Sequence, residues 1–200
     1  ERTLKAYQAV DFDDLIMKPV QLLEQDEDVA TRWRTRIWHL LVDEYQDTNR
    51  CQNRLMRLLT GERASFTAVG DDDQSIYAWR GADVSIILRF GSDFPDAKII
   101  KLQQNYRSTK RILAAAYEVV KLNRSRADKQ LWTENAEGVP ITVTQSGTEM
   151  DEAMLVADTI YKDTSTGRRK FGQFAVLYRT NAQSRSMEET FIQRRIPHVL

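Results

Sequence analysis

A short apolar run, residues 37–42 (IWHLLV), ends in two adjacent acids, Asp43 and Glu44. A strand that stops there sets both carboxylates at the carboxyl edge of a sheet, where open α/β folds bind ligands. One acid can hold Mg²⁺, directly or through water, and the other can orient or deprotonate an attacking water. A strand running into a solvated turn leaves the same pattern. Gln46 and Asp47 add polar groups at that edge without deciding between the two.

A second polar cluster, residues 70–81 (GDDDQSIYAWRG), follows another short apolar run, residues 65–69 (SFTAV). Its side chains therefore project from the same sheet edge as Asp43 and Glu44. Gln74 is neutral and bifunctional, able to donate to a phosphate oxygen and accept from a water. Tyr77 and Trp79 stand two apart beside Arg80. Aromatic rings with an adjacent cation form the kind of platform on which single-stranded nucleic acid stacks, at about 1–3 kcal/mol per base. The competing reading places Trp79 in the core, since tryptophan is highly buried on average.

A third cluster, Gln104-Asn105-Tyr106-Arg107-Ser108, falls between a strand candidate at residues 98–102 and a helix start. Tyr106 could stack on a nucleobase while Arg107 reaches a phosphate. An arginine so placed acts on charge developing during phosphoryl transfer, worth about 10³–10⁵ in rate where one is used. The alternative is an exposed loop tyrosine beside a surface arginine.

The elements that must hold these clusters alternate between strand and helix. Apolar spacing predicts helices near residues 48–59, from Ser108 as cap through Val120, over 149–161 and over 184–194. Further strands are expected at 98–102, 141–144 and 174–178. Such alternation argues for an α/β fold with parallel sheets covered by helices. The segment at 91–96 (GSDFPD) is the expected junction between two such units.

Composition sets outer limits. The 200 residues carry 29 Lys plus Arg against 29 Asp plus Glu, so formal net charge is zero. The neutrality is a cancellation between segments. Asp11, Asp13, Asp14, Glu24, Asp26, Glu27 and Asp28 crowd the start, while Arg107, Lys110, Arg111, Lys121, Arg124, Arg126 and Lys129 gather later. Such blocks can also be ordinary solvated helix faces. Cys51 is the only cysteine, which excludes an internal disulfide and a cysteine zinc cluster and fits a reducing compartment. No run approaches the roughly 18 apolar residues of a membrane helix.

Taken together, the three clusters resemble the motifs of superfamily 1 DNA helicases of the UvrD, PcrA and Rep type. Residues 43–49 (DEYQDTN) resemble motif II, 70–82 (GDDDQSIYAWRGA) motif III and 102–109 (LQQNYRST) motif IV. Residues 11–16 (DFDDLI), 131–133 (LWT) and 178–185 (YRTNAQSR) are similar to further family segments, so the resemblance spans essentially the whole chain.

The resemblance implies RecA-like parallel sheets and parts of two motor domains, the first over residues 1–95 and the second over 96–200. It implies ATP and Mg²⁺ as cofactors, with Asp43 on the metal, Glu44 activating the hydrolytic water and Gln74 sensing the γ-phosphate. Tyr77 and Trp79 would contact the tracked strand, and Arg80 would link them to the acids. Tyr106 would stack on adenine and Arg107 contact the γ-phosphate. Arg179 and Asn181 fall where the family has strand-contacting or coupling residues. The partners implied are single-stranded DNA, single/double-strand junctions and repair or replication proteins, in the cytoplasm or nucleoid of a bacterium and away from membranes.

One family element is missing from these residues: no phosphate-cradling G-x-x-x-x-G-K-[ST] loop occurs in 1–200. Relatives carry it before motif II, and motifs V and VI after the segment seen here. The chain is therefore expected to be an excerpt of a longer helicase, inactive by itself. The alternative is a non-catalytic DNA-binding or interaction module that keeps the fold without the loop.

Overall fold

Strands β1 (His39–Val42) and β2 (Ser65–Ala68) pair in parallel, with His39 opposite Ser65 and Val42 opposite Ala68. Parallel neighbours need a crossover connection, and helix α4 (Arg50–Leu59) lies in it. Its start is set by a reciprocal cap. The Asn49 side chain accepts from Gln52 N at 2.8 Å, and Gln52 Oε1 accepts from Asn49 N at 2.9 Å. Two orphan donors of the first turn are satisfied at once.

The computed structural model describes residues 2–61 and 65–200; Glu1, part of the first expected domain, lies outside them. By compactness the chain divides into Glu1–Val139 and Pro140–Leu200. In the first unit, α1 (Arg2–Ala6) precedes α2 (Asp14–Gln25) and α3 (Glu27–Arg36), and α2 and α3 pack with α4. Val20, Leu23 and Ala30 are buried. The Asp26 carboxylate accepts from Val29 N at 3.0 Å and caps α3. Short helices α5 (Ser85–Leu88) and α6 (Phe90–Asp93) follow β2, and α7 (Lys110–Val120) comes later. An aromatic cluster closes the strand pair. Tyr45 meets Phe66 and Phe90 edge-on at 5.8 and 5.6 Å between ring centroids.

The second unit holds α8 (Glu149–Ser165) and α9 (Ser184–Gln193), packed on each other. Thr148 caps α8 by accepting from Asp151 N at 3.1 Å. Ala157, Ile160, Phe191 and Ile196 form its core, flanked by Val156, Phe174 and Val176.

The mixed helix and parallel-strand class agrees with the α/β expectation, as do the helices at 50–59, 110–120, 149–165 and 184–193. Three expected strands differ. Residues 98–102, 141–144 and 174–178 form no ladder among the described residues, and only a single parallel bridge, Gln104 to Trp132, lies nearby. An apolar run declares a tendency to be covered, whereas a strand also needs a partner's backbone, which spacing does not supply. Ile99, Ile100, Leu102, Val143 and Leu177 are accordingly exposed. The cap of α7 is Thr109 rather than Ser108, whose N–H instead donates to Asn105 Oδ1 at 2.7 Å.

The compactness boundary falls well after residues 91–96. Two cationic side chains, Arg126 and Lys129, tie the segment following α7 to Asp71, Asp72 and Asp73.

Candidate functional site

The carboxyl ends of β1 and β2 open side by side. Val69 N donates to Val42 O at 2.8 Å and Tyr45 N to Val69 O at 2.9 Å, which carries the pairing past the strands. Beyond this point Glu44 takes a left-handed backbone, φ 49° and ψ 42°. Such a conformation is uncommon for a residue with a side chain, and it concentrates at sites where geometry matters more than ease. The Asp43 carboxylate supports it by accepting from Glu44 N at 2.9 Å. Both acids are exposed.

Gln46 is the pivot of this edge and is 1% exposed. Its Nε2 donates to Glu44 Oε2 at 2.7 Å, while its Oε1 accepts from Asp71 N at 3.0 Å. Asp71 Oδ2 in turn accepts from Gln74 Nε2 at 2.8 Å. Glu44 and Gln74, separated by thirty residues in sequence, are thereby joined through the Gln46 side chain and the backbone N–H and carboxylate of Asp71. The composition of the edge hinted at Gln46 but did not assign it, and nothing in the local spacing singled out Asp71.

Gly70 makes that approach possible. A Cβ there would stand 2.6 Å from Gln46 Oε1, 2.9 Å from Ile87 Cδ1 and 3.2 Å from Tyr45 N. Gly70→Ala must push Gln46 off Asp71, and overpacking of this kind costs about 1–3 kcal/mol. A thermal melt should show a clear loss of stability; an unchanged melting temperature would contradict this packing.

Asp47 lies at the same edge, and its Oδ1 is buried without a hydrogen-bond partner among the described residues. Burial, and secondarily the charge of Glu44, pushes its carboxyl above the usual carboxylate range. Asp43 and Glu44, both exposed at this edge, are hard oxygen donors of the type that suits Mg²⁺ completed by phosphate and water, and no three acidic, histidine or cysteine side chains are gathered as a metal cluster among the described residues.

Tyr77, Trp79 and Arg80 come three to six residues after Gln74 on a short helical turn, Ala78–Arg80, closed by Gly81 at φ 89°. Trp79 is 74% exposed, so the core reading of this residue is wrong. The tight turn at 78–80, closed by Gly81, turns its ring outward. The Arg80 guanidinium sits 4.6 Å from the Trp79 ring centre and 5.2 Å from that of Tyr77. The two rings are 6.3 Å apart and tilted by 53°. The three form one cation–π stack with open ring surface.

Tyr106 and Arg107 occupy a separate loop. Asn105 N donates to Trp132 O at 2.7 Å and Trp132 N to Gln103 O at 3.0 Å. Asn135 Nδ2 donates to Tyr106 O at 3.3 Å and to Ser108 O at 3.1 Å. The 131–133 segment thus holds the loop by its backbone, and Asn135 is a positioning residue that sequence spacing did not mark. Tyr106 is 79% exposed and donates to Gln104 Oε1 at 2.8 Å. Arg107 is exposed, and its side chain has no ion-pair partner among the described residues. No hydrogen bond links this loop to Glu44 or Gln74 among the described residues.

Arg179 and Asn181 belong to the second unit and lie exposed at the turn entering α9. Gln183 Oε1 accepts from Arg179 N and Thr180 N, both at 2.9 Å, which fixes the turn's backbone and leaves the side chains outward.

The family profile described as UvrD/REP helicase N-terminal domain matches residues 1–95. The profile described as UvrD-like helicase C-terminal domain matches residues 100–200. The chain belongs to the UvrD-like helicase family. It is 48% identical to the ATP-dependent DNA helicase PcrA of Bacillus subtilis (strain 168) over 193 residues, 96% of this chain and 26% of that protein. PcrA of Staphylococcus epidermidis is 48% identical across the whole chain and 27% of its own length. PcrA of Staphylococcus aureus is 47% identical over the same shares. This UvrD-like chain therefore spans about a quarter of the length of these curated relatives. No helix among the described residues is long and apolar enough to cross a membrane.

Proposed function

We propose that this chain forms the hydrolytic and strand-gripping middle of an ATP-dependent helicase that travels 3′ to 5′ on single-stranded DNA. The observation that carries the reading is the hydrogen-bonded run from Glu44 through Gln46 and Asp71 to Gln74, leading directly into the exposed Tyr77–Trp79–Arg80 stack. A group that handles water, a group that can feel a phosphate and a surface for bases are thereby mechanically continuous. The name ATP-dependent DNA helicase borne by the PcrA relatives supports it.

In this reading Asp43 would hold Mg²⁺ and Glu44 would orient and deprotonate the attacking water. The metal supplies charge neutralisation at the phosphates. Gln74 donates to the γ-phosphate, Tyr106 stacks on adenine and Arg107 meets the γ-phosphate from the other side of the cleft. Residues 1–95 and 96–200 are parts of two motor domains that close on ATP and part after hydrolysis. Closure requires that ATP contact the closed state better than the open one, which Gln74 and Arg107 together supply. Tyr77 and Trp79 grip the strand, Arg80 ties the grip to the catalytic edge, and Arg179 and Asn181 add contacts from the second domain. Single/double-strand junctions and repair or replication proteins, in a bacterial cytoplasm or nucleoid, are the partners this reading entails. The phosphate-cradling loop and motifs V and VI are supplied by the rest of the longer protein.

The test uses the complete gene product that carries these residues. ATP hydrolysis should rise on adding single-stranded DNA, and Trp79→Ala should weaken strand binding by about 1–3 kcal/mol, roughly 5- to 150-fold, while also removing the stimulation. Strand binding with no turnover in the unsubstituted protein would instead mark a non-catalytic DNA-binding module. Stimulation that survives Trp79→Ala unchanged would remove the aromatic stack from the grip.

A further inference from the structure

Asp71, Asp72 and Asp73 meet their counter-ions far away in sequence, in the segment after α7. Arg126 forms a two-pronged pair with Asp73, Nε to Oδ1 at 3.0 Å and Nη2 to Oδ2 at 2.9 Å. Lys129 Nζ contacts Asp71 Oδ1 and Asp72 Oδ1 and stands 3.5 Å from Asp73 Oδ2. Ala127 N donates to Asp72 Oδ2 at 2.7 Å, and Asn123 Nδ2 to Asp73 Oδ1 at 3.3 Å. The Lys129 side chain is 18% exposed, and those of Asp72 and Asp73 are 6% and 7% exposed. Pairs this well covered are screened far less than surface ion pairs, and stripping one partner leaves an uncompensated charge.

Three carboxylates face two cations here, so the cluster keeps one excess negative charge and depends on both. Burial works against the Asp71 carboxylate, but hydrogen bonds from Lys129 and Gln74 outweigh it and hold its pKa below the usual range. Burial likewise opposes Lys129, whose bonds to Asp71 and Asp72 nonetheless raise its pKa.

Asp71 is the shared member. Its Oδ1 takes Lys129 and its Oδ2 takes the Gln74 amide. Lys129 and Gln74 therefore divide one carboxylate between them. The contact also spans the two family ranges, since Lys129 lies within 100–200 and Asp71 within 1–95.

We propose that Lys129 is a positioning residue for Gln74: by anchoring and neutralising Asp71 it sets where the Gln74 amide rests and how readily it leaves for a phosphate. Arg126 locks the adjoining Asp73, so the 123–129 segment acts as a charged latch on the loop that carries Gln74. Movement of that segment is felt at Gln74, and through Asp71 and Gln46 at Glu44. The inference rests on the reading of Gln74 as the γ-phosphate contact.

The experiment compares, in the full-length protein, the ratio of kcat for ATP hydrolysis with and without single-stranded DNA. Lys129→Gln should lower that ratio about tenfold, within the range of ordinary coupling between sites, with little change in the KM for ATP. Lys129→Arg should recover most of it. Asp71→Asn should lower the ratio as well, and adding Lys129→Gln on top should cost little more, because both act through one carboxylate. If Lys129→Gln yields no folded protein, Lys129→Met, which keeps most of the covered side-chain volume without the charge, takes its place in the same cycle with Asp71→Asn. Additive losses, or an unchanged ratio in both single variants, would overturn the proposal while leaving the helicase reading intact. A wild-type protein with no DNA-stimulated hydrolysis would overturn both.

Discussion

Glu44→Gln in the full-length protein should abolish ATP hydrolysis while nucleotide and single-strand binding persist. The separation follows from the bonds Glu44 makes. Its Oε2 accepts from Gln46 Nε2 at 2.7 Å, and the carbonyl of a glutamine can accept the same bond. The edge therefore keeps its shape, and only the capacity to take a proton is lost. General-base contributions amount to about 10²–10⁴ in rate, so kcat should fall by that factor with KM for ATP nearly constant. Single-turnover hydrolysis with titrated strand binding measures both quantities. Equal loss of binding and turnover would show that Glu44 holds the fold together rather than handling water.

Arg107→Ala carries the second large effect. The side chain is exposed and has no ion-pair partner among the described residues, while Asn105 and Asn135 hold its backbone in place. Removing it should therefore leave stability within about 0.5 kcal/mol. An arginine reserved for a developing phosphate charge is worth about 10³–10⁵ in kcat. A flat thermal melt beside a collapse of kcat is the expected pair of results. A collapse of both would place Arg107 in the fold, and an unchanged kcat would remove it from the reaction.

Much of the candidate site was legible because its residues are adjacent in sequence. Asp43 with Glu44, Tyr77 with Trp79 and Arg80, and Tyr106 with Arg107 each sit directly after a short apolar run or turn. Local spacing keeps each set together but leaves a bland reading open for each, and only the family resemblance proposes their roles. Trp79 was ambiguous, since hydrophobicity predicts burial and only the turn at 78–80 shows the ring outside. Residues 98–102, 141–144 and 174–178 read as strands for the opposite reason. Their side chains meet the pattern, but ladder bonds depend on a distant backbone.

The grouping of the acidic pair, of Tyr77 with Trp79 and Arg80, and of Tyr106 with Arg107 follows from the order of residues, because chain neighbours stay together in any fold. The balance of 29 basic against 29 acidic residues was readable too, as a separation of charge between segments. Only the tertiary structure decided what that separation does in one place. Asp71, Asp72 and Asp73 meet Arg126 and Lys129 more than fifty residues on. No local rule ranks one lysine above its neighbours at that distance. Folding selects Lys129 because covered carboxylates must find a partner, and this segment lies where theirs is needed.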